Sequence, residues 1–225
     1  GDVYKRQVQN MTDYELFQYL LENYDHLNLH VCNDEGDNVL LFAIQNLCMS
    51  NENVSFIKNT IVNLIDSDID INYQNNDGLT ALMMLILYHG KTDYLDLIEL
   101  LLKKENIDVN IKSKNNGKTA LIFAVSNMYY DENEQIYLSK IMELLFMHKN
   151  IDVNVQDDDG DTALIEVVSN DLTSHSLKRL ELLLNRSDIN VNLQNNRDET
   201  ALIVASNNIT NYSQFIICLL YTSPS

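Results

Sequence analysis

Four times along this chain the same three residues open an apolar stretch: Thr80-Ala81-Leu82, Thr119-Ala120-Leu121, Thr162-Ala163-Leu164 and Thr200-Ala201-Leu202, with Asn38-Val39-Leu40 as a degenerate fifth copy. A second phrase, an aliphatic residue followed by asparagine, runs in step with it at Leu27-Asn28, Ile71-Asn72, Val109-Asn110, Val153-Asn154 and Val191-Asn192. The asparagines are 44, 38, 44 and 38 residues apart, and each precedes its Thr position by 10, 8, 9, 8 and 8 residues. Self-similarity at this period constrains the fold more than any other feature. Each unit can bury its apolar face only against its neighbours, so the chain must stack into a solenoid. The variable length falls between the Thr step and the next asparagine.

Each unit reads alike. Gly36, Gly78, Gly117 and Gly160 stand two residues before the Thr position, where a turn needs a conformation that side chains resist. Thr then caps a short first helix, such as Thr119 to Met128, by accepting an orphan backbone N–H. A second helix follows, such as Tyr94 to Lys104, with Leu97, Ile98, Leu101 and Leu102 on one stripe. An alternating stretch, Ile107-Asp108-Val109-Asn110-Ile111, then leads to a polar tip and the next glycine. The expectation is an all-α repeat solenoid, helix-turn-helix units joined by extended hairpin-like loops. Tyr129 to Gln135 is expected to loop out between two helices.

These residues resemble the ankyrin repeat family, whose unit is a β-turn plus two helices with a T-P-L-H-x-A phrase. Gly78-Leu79-Thr80-Ala81-Leu82, the three leucines of 100–102 and Asp108-Val109-Asn110 stand where the family pattern places them. Coverage runs over about residues 12–220. Ala replaces the family proline, and Met83, Ile122, Ile165 and Ile203 replace its histidine, exchanging a Thr–His network for apolar packing. The long, asparagine-rich form is similar to repeats of large DNA viruses and AT-rich protists, and that resemblance implies a host factor as the partner. Five units are expected within 28–217 (28–71, 72–109, 110–153, 154–191 and an incomplete 192–217), after an N-terminal half-repeat at 10–27. Residues 1–9 and 218–225 fit no repeat pattern and are expected to be non-native tails, with the natural protein continuing.

Composition narrows the function. The net charge of −18 argues against nucleic acid or an anionic membrane as partner, since both require clustered Lys and Arg. Three widely spaced cysteines (Cys32, Cys48, Cys218) without a CxxC point to a reducing, cytoplasmic setting. A monomer is expected. His26, His30 and Cys32 lie close together but lack a fourth ligand. Asp157, Asp159, Gly160 and Glu166 match positions of a calcium loop, yet Val155 stands at its first position and a sister repeat lacks the acids. No G-x-S-x-G, phosphate-cradling glycine loop or H-E-x-x-H occurs. The reading is therefore non-catalytic, without metal or cofactor.

The family resemblance implies a concave face made of hairpin tips and first helices. Four residues past each Thr position it places Phe42, Met84, Phe123, Glu166 and Val204, and eight past it Tyr88, Asn127 and Asn170, with Asn46 and Asn208 equivalent. An exposed row of Phe42, Met84 and Phe123 would anchor a partner; the alternative is that these side chains tuck between helices. Lys112, Lys114 and Lys118 beside Asp157, Asp158 and Asp159 form an alternating charge pattern that would set register. The expected function is a protein-binding scaffold; the alternative is the targeting arm of a larger enzyme, a ubiquitin ligase or kinase. The resemblance also allows the hairpin asparagines Asn72, Asn110, Asn154 and Asn192 to be substrates of an asparaginyl hydroxylase.

Overall fold

A computed structural model describes residues 32–49, 54–88, 94–126, 132–169 and 174–207. Among them nine helices alternate between two rows. The inner row is α1 (Val39–Met49), α3 (Ala81–Leu87), α5 (Ala120–Ser126), α7 (Ala163–Ser169) and α9 (Ala201–Asn207). The outer row is α2 (Val54–Asp66), α4 (Leu95–Leu102), α6 (Glu132–Met147) and α8 (Ser174–Leu184). Each inner helix packs on the next inner helix and, up to α7, on the outer helix of its own unit, while α2, α4, α6 and α8 touch in sequence. The result is an all-α repeat solenoid.

The capping residues act as their positions demand. The hydroxyls of Thr80, Thr119, Thr162 and Thr200 accept N–H from Met83, Ile122, Ile165 and Ile203 at 3.2–3.4 Å. In the degenerate copy the Asn38 side chain does the same for Leu41 at 3.0 Å. Inner helices that begin this way are apolar on almost every side: all six residues from Ala81 to Ile86 and from Ala120 to Val125 are buried. A helix without a polar face is stable only between layers, and here the adjacent inner helices and the outer row supply them.

The unequal unit lengths are absorbed mainly by the outer row, the one longer inner helix being α1 with 11 residues. The inner helices of the last four units each have 7 residues. The outer helices run to 13, 8, 16 and 11 residues, long in the two 44-residue intervals and short in the two 38-residue ones. This corrects the expectation for Tyr129 to Gln135. From Glu132 onward that stretch is the first turn of α6, where Glu and Gln are good helix formers; residues 129–131 lie outside the described residues.

One aromatic residue ties the rows together. Tyr94, 1% exposed, donates its hydroxyl to the Leu47 carbonyl at the end of α1 and its N–H to the Tyr137 hydroxyl of α6. The Lys58 ammonium of α2 lies 6.0 Å from its ring centre. Beside it the half-buried Cys48 thiol is pushed up to about 11 by burial, with a hydrogen bond from Tyr94 opposing.

Candidate functional site

Between outer and inner helices the chain forms extended fingers, and side chains within each finger hold its turn. In the second finger Asn75 Oδ1 accepts N–H from Asp77 and Leu79 at 3.1 and 2.9 Å. Asp157 in the fourth finger accepts from Asp159 and Asp161 at 3.0 and 2.9 Å, and Asn195 in the fifth from Arg197 and Glu199 at 3.0 Å each. The third finger uses Ser113, whose Oγ accepts from Lys118 N–H at 3.1 Å, and it is one residue longer: Gly117 N–H closes back on the Ser113 carbonyl. The tips turn through Gly36, Gly78, Gly117 and Gly160 at φ between 68° and 78°, and through Asp198 at φ 59° in the fifth.

This geometry accounts for the calcium-like string. Asp157 is buried and occupied as an asparagine equivalent holding its own turn, and Glu166 is ion-paired with Lys118 at 2.8 Å. No group of three or more His, Cys, Asp or Glu among the described residues is placed to hold a metal. His26 and His30 lie outside the described residues.

Neighbouring fingers are stitched together. Asn72 donates to the Asn106 carbonyl and accepts from Asp108 N–H, Asn110 does so with Asn150 and Asp152, and Asn154 with Asp188 and Asn190, at 2.7–2.9 Å. Gln74 and Gln156 each bridge their own tip glycine carbonyl to the next finger, at Lys112 and Gln194. At the tips the N–H groups of Asn76, Lys114, Asp158 and Asn196 donate to the carbonyls of Glu35, Asp77, Asn116 and Asp159. Beneath them Asn75 donates to Asp37 at 2.9 Å and Asn195 to Asp161 at 2.8 Å, both buried. Burial raises the carboxyls of Asp37, Asp157 and Asp161 above the ordinary value of 3.8, against the lowering effect of these hydrogen bonds. The glutamines recur six residues before Thr80, Thr162 and Thr200, a period the sequence carries although the repeat phrases did not include it.

The residues expected on the concave face and its tips separate by burial and by partner. Met84, Phe123 and Val204 are 2%, 8% and 7% exposed. They do not form a projecting apolar row; they tuck into the interior, because the inner helices approach too closely to leave such a face open. Phe42 is half-buried against the same core. Glu166 is half-buried in its bridge to Lys118, which also donates to Ser126 at 3.1 Å. Lys114 donates to the Asn75 carbonyl at 3.1 Å, so two of the three lysines of the third finger are engaged internally. Tyr88, Lys112, Asp158 and Asp159 are exposed. Asn127, Asn170 and Asn208 lie outside the described residues, and Asn46 turns its side chain onto the Phe42 carbonyl.

Tyr88 stands out in that set. It caps the end of α3, and the residue is 43% exposed. Burial of its hydroxyl raises the group above 10.0, and the carboxylates of Asp37, Asp77 and Glu35 push it the same way. An exposed tyrosine at the end of α3 therefore lies within electrostatic reach of the first two finger tips.

Paired helix rows, capped inner helices and stitched fingers define a stacked helical repeat protein. The family model described as "Ankyrin repeats (3 copies)" matches residues 47–138 and 132–223, so the chain belongs to the ankyrin repeat family. Solved structures agree on the fold. A crystallised ankyrin repeat protein superposes with a TM-score of 0.69 at 21% identity, covering 92% of this chain and 90% of its own. An ankyrin repeat domain from Acinetobacter baumannii gives 0.68 at 18% identity, with 94% of each chain covered. Ankyrin repeats are in general protein–protein interaction domains, and the fold is typically a non-catalytic binding scaffold. Among the described residues no helix is long and apolar enough to cross a membrane.

Proposed function

We propose that this protein is a non-catalytic, cytoplasmic scaffold that holds a partner protein on the face formed by its finger tips and inner helices. The observation that carries this reading is Tyr88, an exposed aromatic residue at the end of an inner helix, together with the exposed carboxylates of Glu35 and Asp77 on the first two finger tips. An amphipathic aromatic residue against a charged rim is the usual composition of an interface anchor. The complementary partner surface is basic opposite the first two tips and the fourth, where Asp158 and Asp159 are exposed, and acidic opposite Lys112 on the third. Phe42, half-buried, contributes at the edge; Met84 and Phe123 support the face from within.

The test is affinity capture with two variants that leave the core untouched. In the first, Tyr88→Glu is combined with Asp158→Lys and Asp159→Lys; in the second, Phe56→Glu alters an exposed residue of outer helix α2. A partner retained by wild type and the Phe56 variant, and lost by the Tyr88 variant with unchanged circular dichroism, supports the reading. A partner lost only with Phe56→Glu places binding on the outer row and overturns it.

A further inference from the structure

Of the thirty asparagines, Asn116 alone is followed by glycine. Glycine has no Cβ to crowd its own backbone nitrogen, and the Gly117 N–H is held by a single bond, to the Ser113 carbonyl at 3.1 Å. Asn116 is exposed at the tip of the third finger, the one finger with an added residue between its turn-holding side chain and its glycine. Its Oδ1 accepts two hydrogen bonds, from Ser113 Oγ at 2.6 Å and from Lys118 N–H at 3.2 Å, while its amide nitrogen makes no bond among the described residues. Donors fixed on a carbonyl oxygen stabilise the charge that develops there under nucleophilic attack. Here they face an amide whose leaving group is unrestrained.

We propose that Asn116 is a self-modifying site at which the Gly117 nitrogen displaces ammonia from the side-chain amide. The Gly117 N–H first releases the Ser113 carbonyl, then gives its proton to solvent, and its lone pair forms a bond to Asn116 Cγ. The Cγ–Nδ2 bond then breaks, ammonia leaves with a proton, and a five-membered imide remains. Water opens this ring on either side. Attack at Cγ restores the main chain with aspartate at 116. Attack at the former main-chain carbonyl leaves isoaspartate, with the chain now running through Cγ. No oxidant or cofactor enters; water is consumed and ammonia released.

The two products differ in consequence. Aspartate keeps an Oδ1 that accepts from Ser113 and Lys118. Isoaspartate adds a methylene to a turn closed by Gly117 N–H on the Ser113 carbonyl at 3.1 Å, and converts to a carboxylate the Asn116 carbonyl that receives Asp158 N–H at 3.0 Å. The link between the third and fourth fingers is thereby loosened. Both products also add a negative charge to the finger that carries Lys112 and Lys114.

The experiment incubates the full chain at neutral pH and 37 °C and reads peptide masses and isoaspartate by enzymatic methylation. The expected result is a gain of about 1 Da that maps to residue 116, with more isoaspartate there than at all other asparagines together. An Asn116→Gln variant, whose ring closure would need six members, loses that signal, and the isoaspartate fraction unfolds at lower urea than an Asn116→Asp variant. A gain distributed over other asparagines, or an unchanged yield in Asn116→Gln, overturns the assignment. Equal urea midpoints for the isoaspartate fraction and Asn116→Asp overturn the loosening of the finger link.

Discussion

At the scale of single residues, the fifth finger departs from its sisters. Four tips turn through glycine, but Asp198 occupies the same left-handed region at φ 59°, where a side chain with Cβ is disfavoured. Its N–H donates to the Asn195 carbonyl and its carbonyl accepts from Gln194, bonds glycine would keep. Relief of a left-handed penalty of roughly 1–2 kcal/mol, less the greater entropy that glycine loses on folding, about 0.5–1 kcal/mol, means that Asp198→Gly should raise stability by up to about 1 kcal/mol, read as a higher urea midpoint; a fall would show that the Asp side chain supports the turn. A second residue-scale prediction concerns pH. Asp37, Asp157 and Asp161 hold protons more tightly folded than unfolded, because burial disfavours the charged form. Their contribution to stability is full below 3.8 and is lost as pH rises through the higher folded values. Asp188, held below 3.8 by Arg186, runs the other way: its contribution is present above 3.8 and fades below it. Urea midpoints should rise as pH is lowered from 7 toward that window. Asp157→Asn, which copies Asn75 and Asn195, should flatten the rise and stabilise the chain at pH 7; an unchanged slope would remove Asp157 from the account.

At the scale of elements, the finger asparagines decide how units join. Asn110 spans to the next unit with two bonds, of 2.7 and 2.9 Å. Asn110→Ala should cost about 1–2 kcal/mol, the combined worth of two partly exposed hydrogen bonds. Among the described residues Asn192 makes no such pair, and only its N–H is engaged, with the Asn190 side chain. Asn192→Ala should stay within about 0.5 kcal/mol, so denaturation of both variants separates the clasp from asparagine propensity. The clasp was half legible: the Val-Asn phrase marked the position, but the partner carbonyls at Asn150 and Asp188 are backbone and leave no trace in residue type. Helix existence and capping were legible from Thr, Gly and apolar spacing. The start of α6 was not, because a polar run such as Glu132-Asn133-Glu134-Gln135 suits either a surface loop or an exposed helical turn.

At the scale of the whole molecule, charge and stacking oppose each other. A net −18 produces self-repulsion that the ion pairs offset only in part. Most of the pairs involve exposed side chains, such as Lys103–Glu99 and Arg197–Glu199, and exposed pairs contribute little. Raising sodium chloride toward about 0.5 M, where screening lengths fall below the spacing of surface charges, should raise the melting temperature. A decrease would mean that the better-shielded Lys118–Glu166 bridge outweighs the repulsion. The stack is held instead by the apolar interior running from Leu40 to Ala205, which is indifferent to salt at that level.

The sequence by itself determined the period, the cap of each inner helix, the all-α class and the family, because each depends on residues close in the chain or on a pattern repeated five times. Only the tertiary structure decided which side chains of the inner helices face outward. Met84 and Phe123 occupy the register position of Glu166, yet two are buried and one is engaged in an ion pair. Exposure at that position depends on how closely neighbouring fingers and helices approach, and that distance is a property of the stack rather than of any unit in it.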